Sequence, residues 1–115
     1  MNLELSRKTV VFTGASKGIG FAIAREFLRE GANVFICARN KTELDDAVLK
    51  LKKDSTSSAF LKGFCLDGTK ESDVEKLAKE ASSLNGKIDV WVNNIGTNKK
   101  RDEQTSVQKR SKVKH

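Results

Sequence analysis

One short segment near the start of the chain combines residue types that suit the binding of a phosphate group. It runs from Thr13 to Gly20 with the sequence TGASKGIG. A pyrophosphate needs backbone N–H donors at close range, and glycine is required where a Cβ would block that approach or where φ is positive. Gly14, Gly18 and Gly20 meet this need. The segment, called here the glycine turn, therefore predicts a phosphate-binding turn.

The elements that flank the glycine turn are those that present such a turn to an anion. Thr9 to Phe12 is a short apolar run rich in β-branched residues, which is typical of a strand buried on both faces of a parallel sheet. A helix is predicted after the turn, with an apolar stripe formed by Ile19, Ala22, Ile23 and Phe27. This order directs the helix dipole at a phosphate, whereas glycines without such flanks would indicate only a tight turn.

At these residues the chain resembles the short-chain dehydrogenase/reductase family, whose turn has the spacing Thr-Gly-x-x-x-Gly-x-Gly. Two further segments carry the resemblance. The residues from Asn93 to Gly96 have the sequence NNIG where the family has Asn-Asn-Ala-Gly, and Asp67 matches the family's adenine-contacting aspartate. The resemblance covers about residues 5 to 97, less than half of a complete member, and implies a nicotinamide cofactor.

Within this family, the segments Asp73–Leu77 and Ile88–Asn98 look most like the chlorophyll b reductase branch. Tropinone reductase-like members share the ending Gly96-Thr97-Asn98. Neither segment implies a substrate, because the fourth strand and the helix before it do not contact substrate in the family.

The end of the second predicted strand indicates which nicotinamide cofactor is bound. An Asp or Glu at this place in a dinucleotide fold accepts from the ribose 2′-hydroxyl and would repel a 2′-phosphate. Here the strand from Asn33 to Cys37 is followed by Ala38-Arg39-Asn40. The Arg39 guanidinium suits a phosphate and Lys17 adds a second positive charge, which predicts NADP. The alternative for both side chains is a solvated surface position.

The predicted cofactor site draws on four segments of the chain. Its residues are Thr13, Gly14, Ser16, Lys17, Gly18, Ile19, Gly20, Arg39, Asn40, Asp67, Asn93 and Gly96. No metal site is predicted, since His115 is the single histidine. Cys37 and Cys65 fall at the ends of predicted strands, where small packing residues are expected rather than a disulfide or metal ligands.

Capping patterns and apolar periodicity set the other elements. Asn40 with Glu43 predicts a capping box that opens a second helix, and Ser72 with Glu75 predicts the cap of a third. Apolar runs predict further strands at Val34–Cys37, Phe60–Leu66 and Asp89–Val92. The buried face of the second helix is predicted at Leu44, Val48 and Leu51, and that of the third at Val74, Leu77, Ala78 and Ala81. The three helices are predicted to end at Gly31, at Ser55–Ser58 and at Gly86.

Four strands alternating with helices predict an α/β fold of the Rossmann type. The right-handed crossover rule gives a doubly wound parallel sheet with strand order 3-2-1-4, the N-terminal half of the complete fold. We assign residues 1–98 to this partial domain. Without further strands Val90 and Val92 would lie on an exposed edge, which predicts a homo- or hetero-oligomer formed through the fourth strand.

The net charge of +7 resides mainly in the tail. Residues 99–115 hold seven Lys or Arg and two Asp or Glu, which gives +5, and residues 1–98 carry the remaining +2. The tail has no aromatic and almost no apolar residue, so it is predicted to be a basic disordered segment. Nonspecific contact with polyanions is the alternative, but no specific nucleic-acid partner is expected because base stacking needs aromatic residues.

Two further function classes are excluded by the apolar pattern. The longest apolar runs are far shorter than a membrane span, and the N-terminus lacks the charged and hydrophobic regions of a secretion signal. We therefore expect a cytoplasmic protein without a membrane partner.

The chain contains no tyrosine among its 115 residues. Carbonyl reduction by hydride transfer needs a proton donor near the developing alkoxide. In the family a tyrosine with a lysine four residues on supplies that proton, and no Tyr-x-x-x-Lys pair exists here, so no catalytic residue is assigned. The resemblance implies an NADP(H)-dependent short-chain oxidoreductase, present as a truncated cofactor-binding portion. The alternative is a non-catalytic NADP-binding or interaction protein that pairs with full-length relatives.

Overall fold

The strands and helices lie close to the positions that the sequence predicts. The computed structural model describes residues 6–53, 59–93 and 106–109. The elements are β1 (Thr9–Thr13), α1 (Gly18–Arg29), β2 (Asn33–Ala38), α2 (Lys41–Lys52), β3 (Phe60–Cys65), α3 (Glu71–Asn85), β4 (Val90–Asn93) and β5 (Ser106–Lys109). None of the described helices combines the length and apolar content needed to cross a membrane.

The sheet has the order β3-β2-β1-β4-β5. Its first four strands are parallel, which confirms the predicted order 3-2-1-4, and Val10 of β1 lies opposite Val34 of β2 and Val90 of β4. Every residue of β1 and β2 is buried, because helices cover both faces of the central strands. The continuous apolar runs of these two strands follow from that burial.

Alternate residues of each strand form two separate cores. Phe12 and Ile36 pack with α1 and α2 on one face of the sheet. Val11 and Phe35 point to the opposite face and pack with α3. This two-residue period is the expected consequence of a pleated strand between two layers of helices.

The buried stripe of α1 differs from the predicted one. The residues that α1 buries are Gly20, Ala24 and Leu28, with Ile23 and Phe27 partly buried beside them. Ile19 is 67% exposed and Ala22 is also exposed. The physical reason is that the face of α1 packed against the sheet is centred on Ala24 and Leu28, and at about 100° per residue Ile19 and Ala22 project away from that face.

One of the two hydrogen bonds of the predicted capping box is formed at the start of α2. The Asn40 side-chain oxygen accepts from the Glu43 backbone N–H at 2.9 Å. The Glu43 carboxylate is paired with Lys17 instead of returning to the Asn40 backbone. Leu44 and Leu51 are buried on the predicted face. The predicted end of this helix at residues 55–58 lies outside the described residues.

The predicted cap of α3 at Ser72 is wrong. The helix begins at Glu71 with Lys70 as its N-cap residue, so Ser72 lies inside the first turn. The Asp73 side chain accepts from the Asp67 backbone N–H at 2.8 Å and joins the first turn of the helix to the loop before it. At the other end Gly86 has φ 82° and ends the helix in the left-handed conformation, as predicted.

The sequence predicted an exposed outer edge at β4, but this edge is paired with another strand. Residues Ser106–Lys109 pair antiparallel with Val90–Asn93 and form β5. Four residues of the predicted disordered tail are therefore a strand. The physical reason is that the backbone N–H and C=O groups on the far side of β4 need partners, and a segment of the same chain supplies them. The remaining tail residues lie outside the described residues.

Candidate cofactor-binding site

The structure brings the predicted site segments to one edge of the sheet. The glycine turn follows β1, Arg39 follows β2, Asp67 follows β3 and Asn93 ends β4. Because these four strands are parallel, their carboxyl ends lie at the same edge. In open α/β sheets ligands bind at this edge, and here it collects a phosphate-type turn and charged side chains.

Two glycines of the turn adopt conformations that other residues rarely take. Gly14 has φ 77° and Gly18 has φ 70°. The Gly14 N–H donates to the Cys37 carbonyl oxygen at 2.9 Å, which fixes the start of the turn against the end of β2. Apart from its chain neighbours and the backbone of α1, no atom of the described residues lies within 4 Å of a Cβ added at Gly18. Within the described part of the chain, the space beside Gly18 is therefore open.

The N-terminus of α1 has no internal cap. Its N-cap residue, Lys17, makes no side-chain cap hydrogen bond, and the first turn contains no acidic residue. In contrast, α2 has the Asn40 cap and Glu43 in its first turn, and α3 has Glu71 and Asp73 there. Among these three helices, α1 is the one whose N-terminus is arranged for an external anion.

Two other predicted residues flank the start of α1. Ser16 is partly buried within the glycine turn. The exposed Ile19 presents an apolar side chain at the same edge of the sheet. An exposed isoleucine within the glycine turn is available to pack against a ring of a bound cofactor.

Arg39 is held by its backbone and exposed through its side chain. Its carbonyl oxygen accepts from the Cys65 Sγ at 3.4 Å, which connects the end of β2 to the end of β3. Arg39 and Asn40 are both exposed. The side-chain oxygen of Asn40 is used to cap α2, so Arg39 is the residue at this strand end that best suits a phosphate.

The Asp67 carboxylate is fixed in place by Thr69. Its Oδ1 accepts from the Thr69 hydroxyl at 2.6 Å and from the Thr69 backbone N–H at 2.9 Å. These bonds hold the pKa of Asp67 below its usual value, and the nearby charges of Arg39 and Lys70 act in the same direction. Sequence reasoning missed Thr69, although an Asp followed two residues later by Thr is a typical Asx turn.

Thr13 and Asn93 join the ends of β1 and β4. The Thr13 hydroxyl donates to the Asn93 side-chain oxygen at 2.9 Å. Thr13 is buried and Asn93 is exposed, so the bond orients an amide group at the surface of the edge. The predicted contact at Gly96 lies outside the described residues.

The two cysteines lie in different surroundings, although both were predicted to pack. Cys37 is buried, and burial raises the pKa of its thiol. Cys65 is exposed, because the carboxyl end of the edge strand β3 is not covered. Both thiols are free. No group of three or more His, Cys, Asp or Glu side chains in the described part of the chain could hold a metal ion.

An ion pair that sequence reasoning missed joins the glycine turn to α2. The Lys17 Nζ lies 3.8 Å from the Glu43 Oε2, with both side chains largely exposed. The two residues are 26 positions apart, and only the parallel packing of β1 beside β2 brings them together. No local sequence pattern predicts such a pair.

Comparison with known proteins identifies relatives of this chain. The sequence model of the short chain dehydrogenase family matches residues 8–114. The chain is 40% identical over 89 residues to a chlorophyll(ide) b reductase of Oryza sativa subsp. japonica and 39% identical over 94 residues to a tropinone reductase homologue of Arabidopsis thaliana. Both branches that the sequence resembles are thus found among its relatives.

A solved structure supports the same relationship. L-Sorbose reductase from Gluconobacter frateurii, complexed with NADPH and L-sorbose, matches 90% of this chain at 32% identity with a TM-score of 0.77. The chain spans 38% of that protein, 26% of the rice relative and 34% of the Arabidopsis relative. The similarity therefore concerns a part of each relative.

Proposed function

The chain belongs to the short-chain dehydrogenase/reductase family of oxidoreductases, and we propose that the carboxyl edge of its sheet binds NADP(H). The full activity that we propose for the protein is hydride transfer between this cofactor and a carbonyl or alcohol substrate. The observation that carries the choice of cofactor is the position of Arg39, which is exposed at the end of β2.

The residues at this edge fit a dinucleotide. The N-terminus of α1 has neither a side-chain cap nor an acidic residue in its first turn. The open space beside Gly18 allows the backbone to approach a pyrophosphate closely. Backbone N–H groups of the glycine turn would bind that pyrophosphate, and Asp67, held by Thr69, would orient the adenine end.

The end of β2 favours the phosphorylated cofactor over NAD. It has the sequence Ala38-Arg39-Asn40, without the carboxylate that would accept from a free 2′-hydroxyl. Arg39 supplies a planar set of donors for a 2′-phosphate, and Lys17 supplies a second cation. The complex of L-sorbose reductase with NADPH supports this proposal.

The nicotinamide supplies the hydride chemistry when it is bound. Residues of this chain hold and orient the cofactor, and none of them is assigned to proton transfer, because the sequence contains no tyrosine. The alternative is a non-catalytic NADP-binding protein. A cytoplasmic location remains a prediction, and the rice relative is described as chloroplastic.

Calorimetric titration of the full chain with NADPH and with NADH tests the proposal. We expect tighter binding of NADPH, and Arg39→Ala should weaken it by roughly ten- to a hundredfold while sparing NADH, because a charge-assisted bond is worth about 1.5–3 kcal/mol. Arg29→Ala is the matched control, since Arg29 is also exposed but lies in the last turn of α1. Equal affinity for both cofactors, or equal losses in the two variants, would contradict the proposal.

A turnover assay distinguishes an active reductase from a non-catalytic NADP-binding protein. Oxidation of NADPH with a panel of aldehydes and ketones would support an active reductase. Tight NADPH binding without turnover would instead favour the non-catalytic binding protein.

A further inference from the structure

The ion pair between Lys17 and Glu43 lies at the place where the cofactor proposal needs positive charge. Lys17 is the N-cap residue of α1, and Glu43 is in the first turn of α2. Their charged atoms, Nζ and Oε2, are 3.8 Å apart. Glu43 is therefore positioned to compete with an incoming anion for the same lysine.

Glu43 also follows Arg39 by four residues along the chain. The Glu43 backbone N–H donates to the side chain of Asn40, the residue that directly follows Arg39. This bond fixes the backbone of Glu43 at the start of α2, directly after the segment that carries Arg39. A negative charge at this position opposes the binding of a further phosphate and leaves the binding of an uncharged ribose 2′-hydroxyl almost unaffected.

The other charges on α2 do not share this arrangement. Lys41 is paired with Asp45 at 3.1 Å, and Lys50 is paired with Asp46 at 3.1 Å. Both of these pairs lie within the helix, at a spacing of four residues. Only Glu43, among the acidic residues of α2, is paired with the glycine turn in the described structure.

We propose that Glu43 is a specificity-determining residue that lowers the preference for NADP over NAD by holding Lys17 and placing a negative charge beside the 2′-phosphate position. This inference rests on the proposed function. Lys17 must be shared between Glu43 and the 2′-phosphate when NADP binds. The strength of the preference then depends on a residue that no dinucleotide motif includes.

The test is calorimetric titration of NADPH and NADH into the full chain and its Glu43→Gln variant. Gln keeps the length of the side chain and its backbone bond to Asn40. Exposed pairs of this kind are weak, so we expect about a two- to fivefold gain in NADPH affinity and no change for NADH. Asp46→Asn removes the same charge from the same helix and should change neither affinity.

The double variant Lys17→Met with Glu43→Gln checks that the effect passes through the lysine. In the Lys17→Met background, Glu43→Gln should give a smaller gain than in the native chain. Glu43→Ala, which should show the same gain for NADPH, serves if Glu43→Gln fails to fold by circular dichroism. A merely structural role of Glu43 would change both affinities together.

The outcomes separate the two proposals. If the native chain prefers NADPH but Glu43→Gln gives no gain, or gives equal gains for both cofactors, the role of Glu43 is refuted and the proposed function stands. If the native chain binds NADH equally well or binds neither cofactor, the proposed function fails, and the inference fails with it.

Discussion

The two edges of the sheet use their polar groups in opposite ways. At the amino edge they bond to one another. The Asp89 carboxylate accepts from the Thr9 N–H at 2.8 Å, and the Asn85 amide donates to the Thr9 hydroxyl at 2.9 Å and to the Arg7 carbonyl at 3.2 Å. The Asn33 amide donates to the same carbonyl. This network joins β1, β2, the end of α3 and the residue directly before β4.

At the carboxyl edge the positively charged side chains of the proposed cofactor site face solvent. Lys17 and Arg39 are exposed, and the space next to Gly18 is open. Internal bonds at this edge, such as that of Thr13 to Asn93, orient groups without covering them. The amino edge therefore contributes mainly to stability, whereas the carboxyl edge contributes mainly to binding.

The largest expected effect comes from a pair of glycine substitutions that separates the two edges. Gly18 and Gly86 both have positive φ, and in the described part of the chain an added Cβ at either would meet no atom within 4 Å beyond its own neighbours and helix backbone. Each change to alanine should therefore lower the free energy of unfolding by a similar amount, about 1–2 kcal/mol. Only Gly18→Ala should also weaken NADPH binding, by on the order of a hundredfold, because the added methyl group would obstruct charge-assisted bonds from the backbone to the pyrophosphate, worth about 1.5–3 kcal/mol each.

Chemical denaturation and calorimetry of both variants check this prediction. Gly86→Ala is the control for backbone strain, since Gly86 lies at the amino edge. If the two variants lost NADPH affinity to the same extent, the loss at Gly18 would reflect damage to the fold. The assignment of cofactor binding to the carboxyl edge would then be contradicted.

A smaller effect is expected from Asp89→Ala at the amino edge. The substitution leaves the Thr9 N–H without its carboxylate partner, which should cost about 1.5–3 kcal/mol in the free energy of unfolding. Asp89→Asn keeps a side-chain oxygen and should cost less. Urea denaturation measures both variants. A selective loss of NADPH affinity in a fully folded Asp89→Ala variant would contradict the assignment of this edge to stability.

The smallest expected effect is on the pH dependence of Asp67. Thr69 lowers the pKa of this carboxyl in the folded state, so its contribution to stability is present above the unfolded pKa and is lost as the pH falls through the folded pKa. Thr69→Val removes the hydroxyl bond and should raise the folded pKa toward the usual value. The part of acid destabilisation due to Asp67 then shrinks. An NMR titration that finds the same pKa in both proteins would contradict this account.

The sequence predicts features of this fold that depend on neighbouring residues. The glycine turn, the Asn40 cap and the alternation of strands and helices are local patterns, and the strand order follows from a general rule of handedness. The exposure of Ile19 is not local, because it depends on which face of α1 packs against the sheet. The start of α3 likewise depends on a contact outside the helix, since Asp73 accepts from the Asp67 N–H in the preceding loop.

Contacts between distant segments could not be predicted in this way. The pairing of β5 with β4 and the ion pair of Lys17 with Glu43 both join residues that are far apart in the sequence. The sequence placed Arg39, Asp67 and Asn93 correctly at strand ends, but the bonds that orient them involve Cys65, Thr69 and Thr13. Strand ends follow from periodicity, whereas the partners at those ends depend on packing.

We expect the cofactor to bind at the carboxyl edge and to leave the amino edge unchanged. Titration of the ¹⁵N-labelled chain with NADPH, followed by amide chemical shifts, tests it most directly. We expect the largest shift changes at Gly14, Lys17, Gly18 and Arg39, with little change at Asn85 and Asp89. Changes concentrated at Asn85 and Asp89, or no change at the glycine turn at saturating NADPH, would contradict the account.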